Sequence, residues 1–170
     1  MKPDAPLSTE RLDLEPLAVR HARELYGALG DPALYRYLEE APPASLAALE
    51  TRYRVLERRG PPDGRDEVWL NWACRERASG VVAGLTQATL VPGAPAMIAY
   101  VFTAAGQGRG LAREACRAVV RALFGDWAQS AIEATVDPDN RRSIALLEAL
   151  GFSPVPSDTD DLRFRCDTRY

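Results

Sequence analysis

The chain has 170 residues, of which 46% are hydrophobic and 26% are charged, and its formal net charge is −3. These values predict one domain over 1–170 with its own core, and they argue against long-range attraction to nucleic acid or to an anionic membrane. No apolar run reaches the ~20 residues that span a bilayer, and the first residues lack a secretory signal pattern. We therefore expect a cytoplasmic protein without nucleic-acid or membrane partners.

Few side chains are available for metal or thiol chemistry. Cys74, Cys116 and Cys166 are far apart and odd in number, which favours reduced thiols over disulfides or a zinc site. Cys116 lies among the apolar positions of a predicted helix. His21 is the only histidine, so no histidine cluster exists. We predict no bound metal, burial for Cys116, and a structural or solvated role rather than catalysis for His21.

The first half of the chain alternates between strand-like and helix-like patterns. Residues 9–15 alternate between apolar and polar and predict a strand. A helix is predicted over 16–30, with proline in its first turn and glycine at its end, and a second helix over 44–59. The runs 68–74 and 81–90 are joined by a short glycine-bearing loop and predict an antiparallel hairpin.

The most informative stretch joins a strand to a helix through three glycines. Residues 96–102 are apolar and aromatic and predict a strand, and apolar residues in 111–124 recur at helical spacing. Gly106, Gly108 and Gly110 lie between them and keep side chains away from the main chain. The first N–H groups of a helix lack intrahelical acceptors, and the helix dipole favours negative charge there. This turn therefore predicts a site for a phosphate or pyrophosphate.

Other interpretations of the glycines compete with a phosphate site. A tight turn without a ligand would also use them. A dinucleotide fingerprint Gly-x-Gly-x-x-Gly fits poorly, because Leu111 or Arg113 stands where its third glycine belongs. No Gly-x-x-x-x-Gly-Lys-Ser/Thr occurs, which excludes a P-loop.

The rest of the chain predicts a strand, a helix and a further strand. Residues 129–136 have a strand pattern. An amphipathic helix follows, which Asn140 caps and Gly151 ends. Residues 162–166 predict a last short strand.

Two motifs make the chain resemble the GNAT acetyltransferases. Gln107-Gly-Arg-Gly-Leu-Ala112 fits the pattern Gln/Arg-x-x-Gly-x-Gly/Ala, with which that family binds the pyrophosphate of acetyl-CoA. Asn140-x-x-Ser143, followed by Leu150-Gly-Phe152, fits the family's second motif, whose asparagine and serine or tyrosine contact the pantetheine arm and the thiol end. The resemblance implies that acetyl-CoA is the co-substrate and an amine the acceptor.

The resemblance implies an α/β (α+β) fold with a central mixed, mostly antiparallel sheet of about seven strands and about four flanking helices. Acetyl-CoA would lie between two splayed strands, here 96–103 and 130–136. Thr9-Glu-Arg-Leu12, together with Asp31-Pro32 and Tyr37-Leu38, is similar to one branch of the family, the ribosomal-protein N-terminal acetyltransferases.

The resemblance also implies which residues form the site. Cofactor contacts are expected from the end of the strand, the glycine loop and the start of the last helix, namely Val101, Phe102, Thr103, Gln107, Gly108, Arg109, Gly110, Leu111, Ala112, Arg113, Asn140 and Ser143. Backbone N–H groups of 101–103 would polarise the acetyl carbonyl, and Ser143 would protonate the leaving thiol. The expected acceptor-side residues are Tyr35, Tyr37, Trp69, Asn71 and Tyr100. For Tyr35, Tyr37 and also Tyr53, packing between the first two helices is an equal alternative.

One departure from the family bears on the acceptor. Transfer in the family is direct, and many members carry a basic glutamate on the strand equivalent to 96–102, where this chain has no acid. At pH 7 an α-amine of pKa ~7.8 is neutral roughly 14% of the time, whereas a lysine amine of pKa ~10.4 is neutral about once in 2,500. We therefore expect an α-amine or another acceptor of low pKa, unless Glu133, Glu67 or a chain of waters supplies the base.

Other functions are compatible with the same residues. The missing acid also suits a CoA-binding sensor or scaffold that no longer transfers. Acetyltransferases for small amines, such as antibiotics or polyamines, share the motifs, and a nicotinamide oxidoreductase is a third class. The sequence has no code for the acceptor, and it is compatible with a monomer or a homodimer.

Overall fold

The computed structural model describes residues 5–167, and its centre is a single eight-stranded sheet. The strands are β1 (Leu7–Ser8), β2 (Leu12–Pro16), β3 (Val68–Glu76), β4 (Val82–Leu90), β5 (Ala96–Phe102), β6 (Ile132–Val136), β7 (Ser153–Val155) and β8 (Leu162–Cys166). The helices are α1 (His21–Leu29), α2 (Leu46–Leu56), α3 (Leu111–Gly125) and α4 (Arg141–Ala149), with short 3-10 helices at Pro32–Tyr35 and Ala104–Gly106. The sheet order is β1-β2-β3-β4-β5-β6-β8-β7. The expected mixed sheet with four flanking helices is confirmed.

The sheet opens between β5 and β6, its fifth and sixth strands. Strands β5 and β6 run parallel and pair only at Ala96 with Ile132 and at Met97 with Glu133. Beyond these pairs β5 stays with β4 as far as Phe102, and β6 stays with β8. Residues 98–102 and 134–136 therefore border a gap between separating strands.

Two buried clusters lie on the sheet. Helices α3 and α4 belong to the larger cluster, to which Leu111, Val120 and Leu147 contribute. Apolar residues of α3 recur at helical spacing and are buried, as the sequence predicted. Helices α1 and α2 form the smaller cluster against β3 and β4, where they cover Ala73 and Leu85.

The first helix starts later than the sequence predicted. Pro16 is the last residue of β2, and the N–H of Leu17 donates to the carbonyl of Asn71 at 2.8 Å. A turn follows in which the N–H of Ala18 donates to Nδ1 of His21 at 3.0 Å, and α1 begins at His21. Pairing with β3 thus outweighs the preference of proline for a first helical turn. His21 is buried and also bonds Glu15, so of the two predicted roles, structural or solvated, the structural one fits its surroundings.

The remaining elements agree with the predicted ones in type. The second helix begins after Ser45, whose hydroxyl accepts the N–H of Ala48, and the 68–90 hairpin is antiparallel. Strand β6 begins at Ile132, three residues later than predicted. Strands β1 and β7 were not predicted, because two or three residues are too short to show a period. No helix within 5–167 is long and apolar enough to cross a membrane.

Candidate active site

Unpaired main-chain N–H groups gather where the glycine loop enters α3. Within residues 5–167, the six successive N–H groups from Gly108 to Arg113 have no acceptor. The helical ladder starts only with Glu114, whose N–H donates to the carbonyl of Gly110 at 3.1 Å. No side chain caps this helix. A negatively charged group is the partner that such a helix end stabilises.

The glycines are required here for two different reasons. Gly108 and Gly110 have φ angles of 71° and 77°, in the left-handed region that side chains rarely adopt. A Cβ on Gly106 would lie 2.5 Å from the carbonyl oxygen of Ala83. Close packing on β4 and the left-handed turn together direct the unpaired N–H groups outward.

The first turn of α3 is clamped to the N-terminal part of the chain. The carboxylate of Glu114 accepts the Thr9 hydroxyl at 2.5 Å, and the N–H and Nε of Arg11 at 2.8 and 2.6 Å. Nη1 of Arg11 also donates to the carbonyl of Arg109 at 2.9 Å. Burial acts to raise the pKa of Glu114, but these hydrogen bonds outweigh it and lower the pKa. Glu114 therefore stays charged and fixes the helix end in place.

The two arginines expected at the phosphate differ in their surroundings. The guanidinium of Arg109 forms an ion pair with Glu76 on β3 and contacts the carbonyl of Ala105, so it faces away from a ligand. The cause is the buried carboxylate of Glu76, which needs a cation and whose pKa this hydrogen bond lowers. Arg109 therefore brings only its main-chain N–H to the loop. Arg113 is exposed in the first turn of α3, and no described group pairs with it.

Gln107 connects two walls of the gap. Its Nε2 donates to the carbonyl of Phe102 at the end of β5, at 2.9 Å. Its Oε1 accepts Nη1 of Arg142 in α4, at 3.1 Å. Its side chain is therefore engaged within the protein.

The main chain of β5 divides its N–H groups between β4 and the gap. Thr103 donates both its N–H and its hydroxyl to the carbonyl of Ala83, at 2.9 and 3.1 Å. In an antiparallel pair these contacts alternate, so the N–H of Val101 also faces β4, and those of Tyr100 and Phe102 face the gap. Of the expected 101–103 donors, only Phe102 is available. The N–H of Thr103 is engaged by β4 and that of Val101 faces it, so the predicted carbonyl contact stays a prediction for Phe102 alone.

A pair of hydroxyl groups lies beside the gap. The Oη of Tyr100 is 2.6 Å from the Oγ of Ser143, and the Ser143 N–H donates to Oδ1 of Asn140 at 3.2 Å. Burial raises the pKa of Tyr100, so its phenol is neutral. A phenol that donates to Oγ leaves the Ser143 proton free for another acceptor. Tyr100, expected on the acceptor side, thus contacts Ser143 instead.

The other expected acceptor residues are mostly engaged elsewhere. Tyr35 donates its hydroxyl to the carbonyl of Leu29 at 3.0 Å, and Tyr53 is buried in the cluster of α1 and α2, as their packing alternative described. The ring of Tyr37 lies 5.3 Å from the guanidinium carbon of Arg36. Trp69 donates its Nε1 to Glu67 at 2.9 Å, and Asn71 is buried.

Neither acid proposed as a base is free. The carboxylate of Glu133 accepts Nη1 of Arg165 at 3.2 Å. That of Glu67 accepts Nη1 of Arg65 at 2.8 Å as well as the Trp69 indole. The sequence indicated these acids but not their partners.

The cysteines and the possible metal-binding side chains were predicted to have no role in the chemistry, and their surroundings are as follows. All three cysteines are buried, and burial raises the pKa of Cys74 to about 12 and that of Cys116 well above its usual value. Within residues 5–167 no group of histidine, cysteine and acidic side chains is placed to hold a metal ion.

The fold thus places the gap between β5 and β6 beside a helix end with unpaired N–H groups, and the comparisons identify the family of the chain. Residues 11–153 match the family described as Acetyltransferase (GNAT) domain. The chain belongs to this family and is an acetyl-CoA-dependent N-acetyltransferase. No curated protein matches it in sequence.

Solved structures share the fold along nearly the whole chain. A GCN5-related N-acetyltransferase from Brucella melitensis has a TM-score of 0.80 at 22% identity, over 96% of this chain and 78% of its own. A protein from Vibrio cholerae, provisionally described as a ribosomal-protein-serine acetyltransferase, has a TM-score of 0.79 at 18% identity over 99% and 100%. The microcin C7 self-immunity acetyltransferase MccE, solved with acetyl-CoA and AMP, has a TM-score of 0.79 at 15% identity over 94% of each chain. At these identities the likeness establishes the fold alone.

Proposed function

We propose that the acceptor is the α-amine of a peptide N-terminus. The observation that carries this proposal is the lack of a free base along β5. Met97 and Ala99 are exposed on the face opposite the larger cluster, and neither can take a proton. The nearest candidate acid, Glu133, is paired with Arg165. An acceptor that is already partly neutral at pH 7 needs no such base.

The difference in neutral fraction between α-amines and lysine side chains is large enough to set which of them reacts. At pH 7 the neutral fraction of an α-amine exceeds that of a lysine side chain by a factor of roughly 300. A general base typically contributes ~10²–10⁴ in rate. Without one, an α-amine would therefore react far faster than a lysine held in the same geometry.

The site residues divide the remaining work. Acetyl-CoA, when bound, supplies an activated acetyl thioester. The N–H groups of 108–113 would hold its pyrophosphate, and the N–H of Phe102 would polarise the acetyl carbonyl. Ser143 would give its Oγ proton to the leaving sulfur and take up the proton that the acceptor nitrogen loses as the amide forms, with its position fixed by Asn140 and Tyr100.

Resemblance to the ribosomal-protein branch supports the same class of acceptor. Its motif, Thr9 to Leu12, holds the start of α3 through Glu114. Those contacts support acetyl-CoA binding but leave open which peptide is bound. The proposal is therefore a peptide α-amine, with no particular ribosomal protein named.

Two matched peptides test the proposal. One has a free N-terminus and no lysine, and the other is N-acetylated and has one internal lysine. We expect acetyl-CoA-dependent thiol release at pH 7 with the first peptide and at least ~100-fold less with the second. The apparent kcat/KM should rise with pH and level off above ~9, where an α-amine of pKa ~7.8 is more than about 90% neutral. Preference for the lysine peptide contradicts the proposal.

A further inference from the structure

One half-buried arginine near the cleft has no partner. Arg163 lies on β8, and within residues 5–167 its guanidinium forms no hydrogen bond or ion pair. Its Nε is buried without a hydrogen-bond partner. Nη1 and Nη2 are not buried, so both can be reached from solvent. Arginine is the side chain best suited to bind a carboxylate through two parallel hydrogen bonds, so an unused fork is notable here.

Arg163 faces the side of the sheet that α1 and α2 leave uncovered. It stands opposite Thr135 on β6, and cross-strand partners share a face. The neighbours Ala134 and Phe164 belong to the larger cluster, so Thr135 and Arg163 point away from α3 and α4. Thr135 is exposed, as are Met97 and Ala99 on β5. The face is therefore open on both sides of the gap.

Strand geometry places this guanidinium within reach of a bound acceptor. Neighbouring strands are about 4.8 Å apart, and each residue advances about 3.3 Å. Thr135 lies two residues beyond Glu133, where β6 has left β5, and Arg163 is one strand further. An amine at the gap and an anionic group some ~10 Å from it could thus be held together.

Within residues 5–167, no carboxylate forms an ion pair with Arg163. Arg165, on the same face of β8, is paired with both Glu133 and Asp167. The acidic loop before β8 contains Asp160 and Asp161, and neither forms an ion pair with Arg163. Arg165, Glu133 and Asp167 together carry one net negative charge, so the four side chains sum to zero with Arg163 included. Of the two arginines, Arg163 is the one whose guanidinium has no carboxylate partner in the described part of the chain.

We propose that Arg163 binds a carboxylate of the acceptor, so that the preferred acceptors are peptides with aspartate or glutamate within their first three residues. The inference rests on the proposed transfer to a peptide α-amine and names the class of peptide. It assigns Arg163 a part in specificity: the residue touches the acceptor but takes no part in moving the acetyl group.

Paired peptides and two arginine variants test this inference. The peptides have a free N-terminus and aspartate at position 1, 2 or 3, each matched by one with asparagine. The quantity measured is the ratio of kcat/KM for the aspartate peptide to that for the asparagine peptide. We expect a ratio of about 10–100 in the native protein for at least one position, and close to one in Arg163→Gln. Arg121→Gln, which removes an exposed and unpaired arginine of α3, should keep the native ratio.

The outcomes separate this inference from the proposed function. A native ratio near one at all three positions, or a ratio that Arg163→Gln preserves, overturns the role of Arg163 and leaves α-amine transfer intact. Turnover of neither peptide by the native protein refutes the proposed function, and the inference with it. Unfolding temperatures of both variants confirm that each is folded.

Discussion

At the scale of single residues, the hydrogen bond between Tyr100 and Ser143 is the contact of the site from which a mechanistic role can be tested most directly. The Oη–Oγ distance of 2.6 Å joins a strand to a helix, and the phenol is neutral because burial raises its pKa. If Tyr100 donates to Oγ, the Ser143 proton is free for the leaving sulfur of the proposed transfer. Tyr100 is then a positioning residue that acts only through Ser143.

This order of action predicts a non-additive pair of variants. Tyr100→Phe should lower kcat about 3- to 10-fold, the worth of one neutral hydrogen bond, with little change in KM for acetyl-CoA. Ser143→Ala should lower kcat by about 100-fold, at the low end for a general acid. The double variant should be no slower than Ser143→Ala, because Tyr100 then has nothing to orient. Effects that multiply in the double variant would contradict the positioning role.

Residue contacts were predictable only where they are local in the chain. Asn140 was predicted as a helix cap, and its Oδ1 accepts the N–H of Ser143, three residues later. The pair of Arg109 with Glu76 was not predictable, since 33 positions separate the two residues and only the folded sheet brings them together. For the same reason Glu114 was missed, because its partners lie in the turn before β2.

At the scale of elements, the glycine loop and α3 act as one unit. The left-handed φ of 77° at Gly110 turns the chain into the helix while leaving the first N–H groups unpaired. A side chain in this conformation costs about 1–2 kcal/mol, so the loop would change shape rather than accept it.

Gly110→Ala should therefore weaken acetyl-CoA binding. We expect at least a ~10-fold higher Kd by titration calorimetry, and a free energy of unfolding lower by about 1 kcal/mol. The matched control is Gly27→Ala in α1, where an added Cβ meets nothing within 4 Å and φ is not positive. It should keep the native Kd and should not lower stability. Equal affinities for the native protein and Gly110→Ala would show that 108–113 do not hold the pyrophosphate.

Secondary-structure elements were predicted best where the spacing of apolar residues repeats over many positions. The apolar stripe of α3 and the strand β5 have such a pattern, and both are found as predicted. Pro16 misled the prediction of α1, because local preference gave way to pairing of β2 with β3. The sequence could not show that Arg163 lies on an exposed face of β8, because that depends on which face of the sheet the helices cover.

At the scale of the whole molecule, one ion network joins the sheet to the first helix. The carboxylate of Glu15 on β2 accepts Nε of Arg75 on β3 at 2.5 Å and the Nε2 of His21 in α1 at 2.8 Å. Arg75 also pairs with Glu24 of α1 at 2.7 Å. The network therefore holds α1 against β2 and β3.

The network predicts how unfolding depends on acid. Hydrogen bonds from Arg75, and then from His21 and Arg20, lower the pKa of Glu15 from 4.5 to about 2. Because the pKa is lower in the folded chain, the charged carboxylate stabilises the protein above pH ~4.5, and this is lost as the pH falls toward ~2. Glu15→Gln should lower the free energy of unfolding at pH 7 and flatten its decline between these values. Urea unfolding at several pH values measures both effects.

The control for this prediction is Glu10→Gln, at an exposed acid without a described partner, which should follow the native curve. Parallel curves for Glu15→Gln and the native protein would refute the assignment.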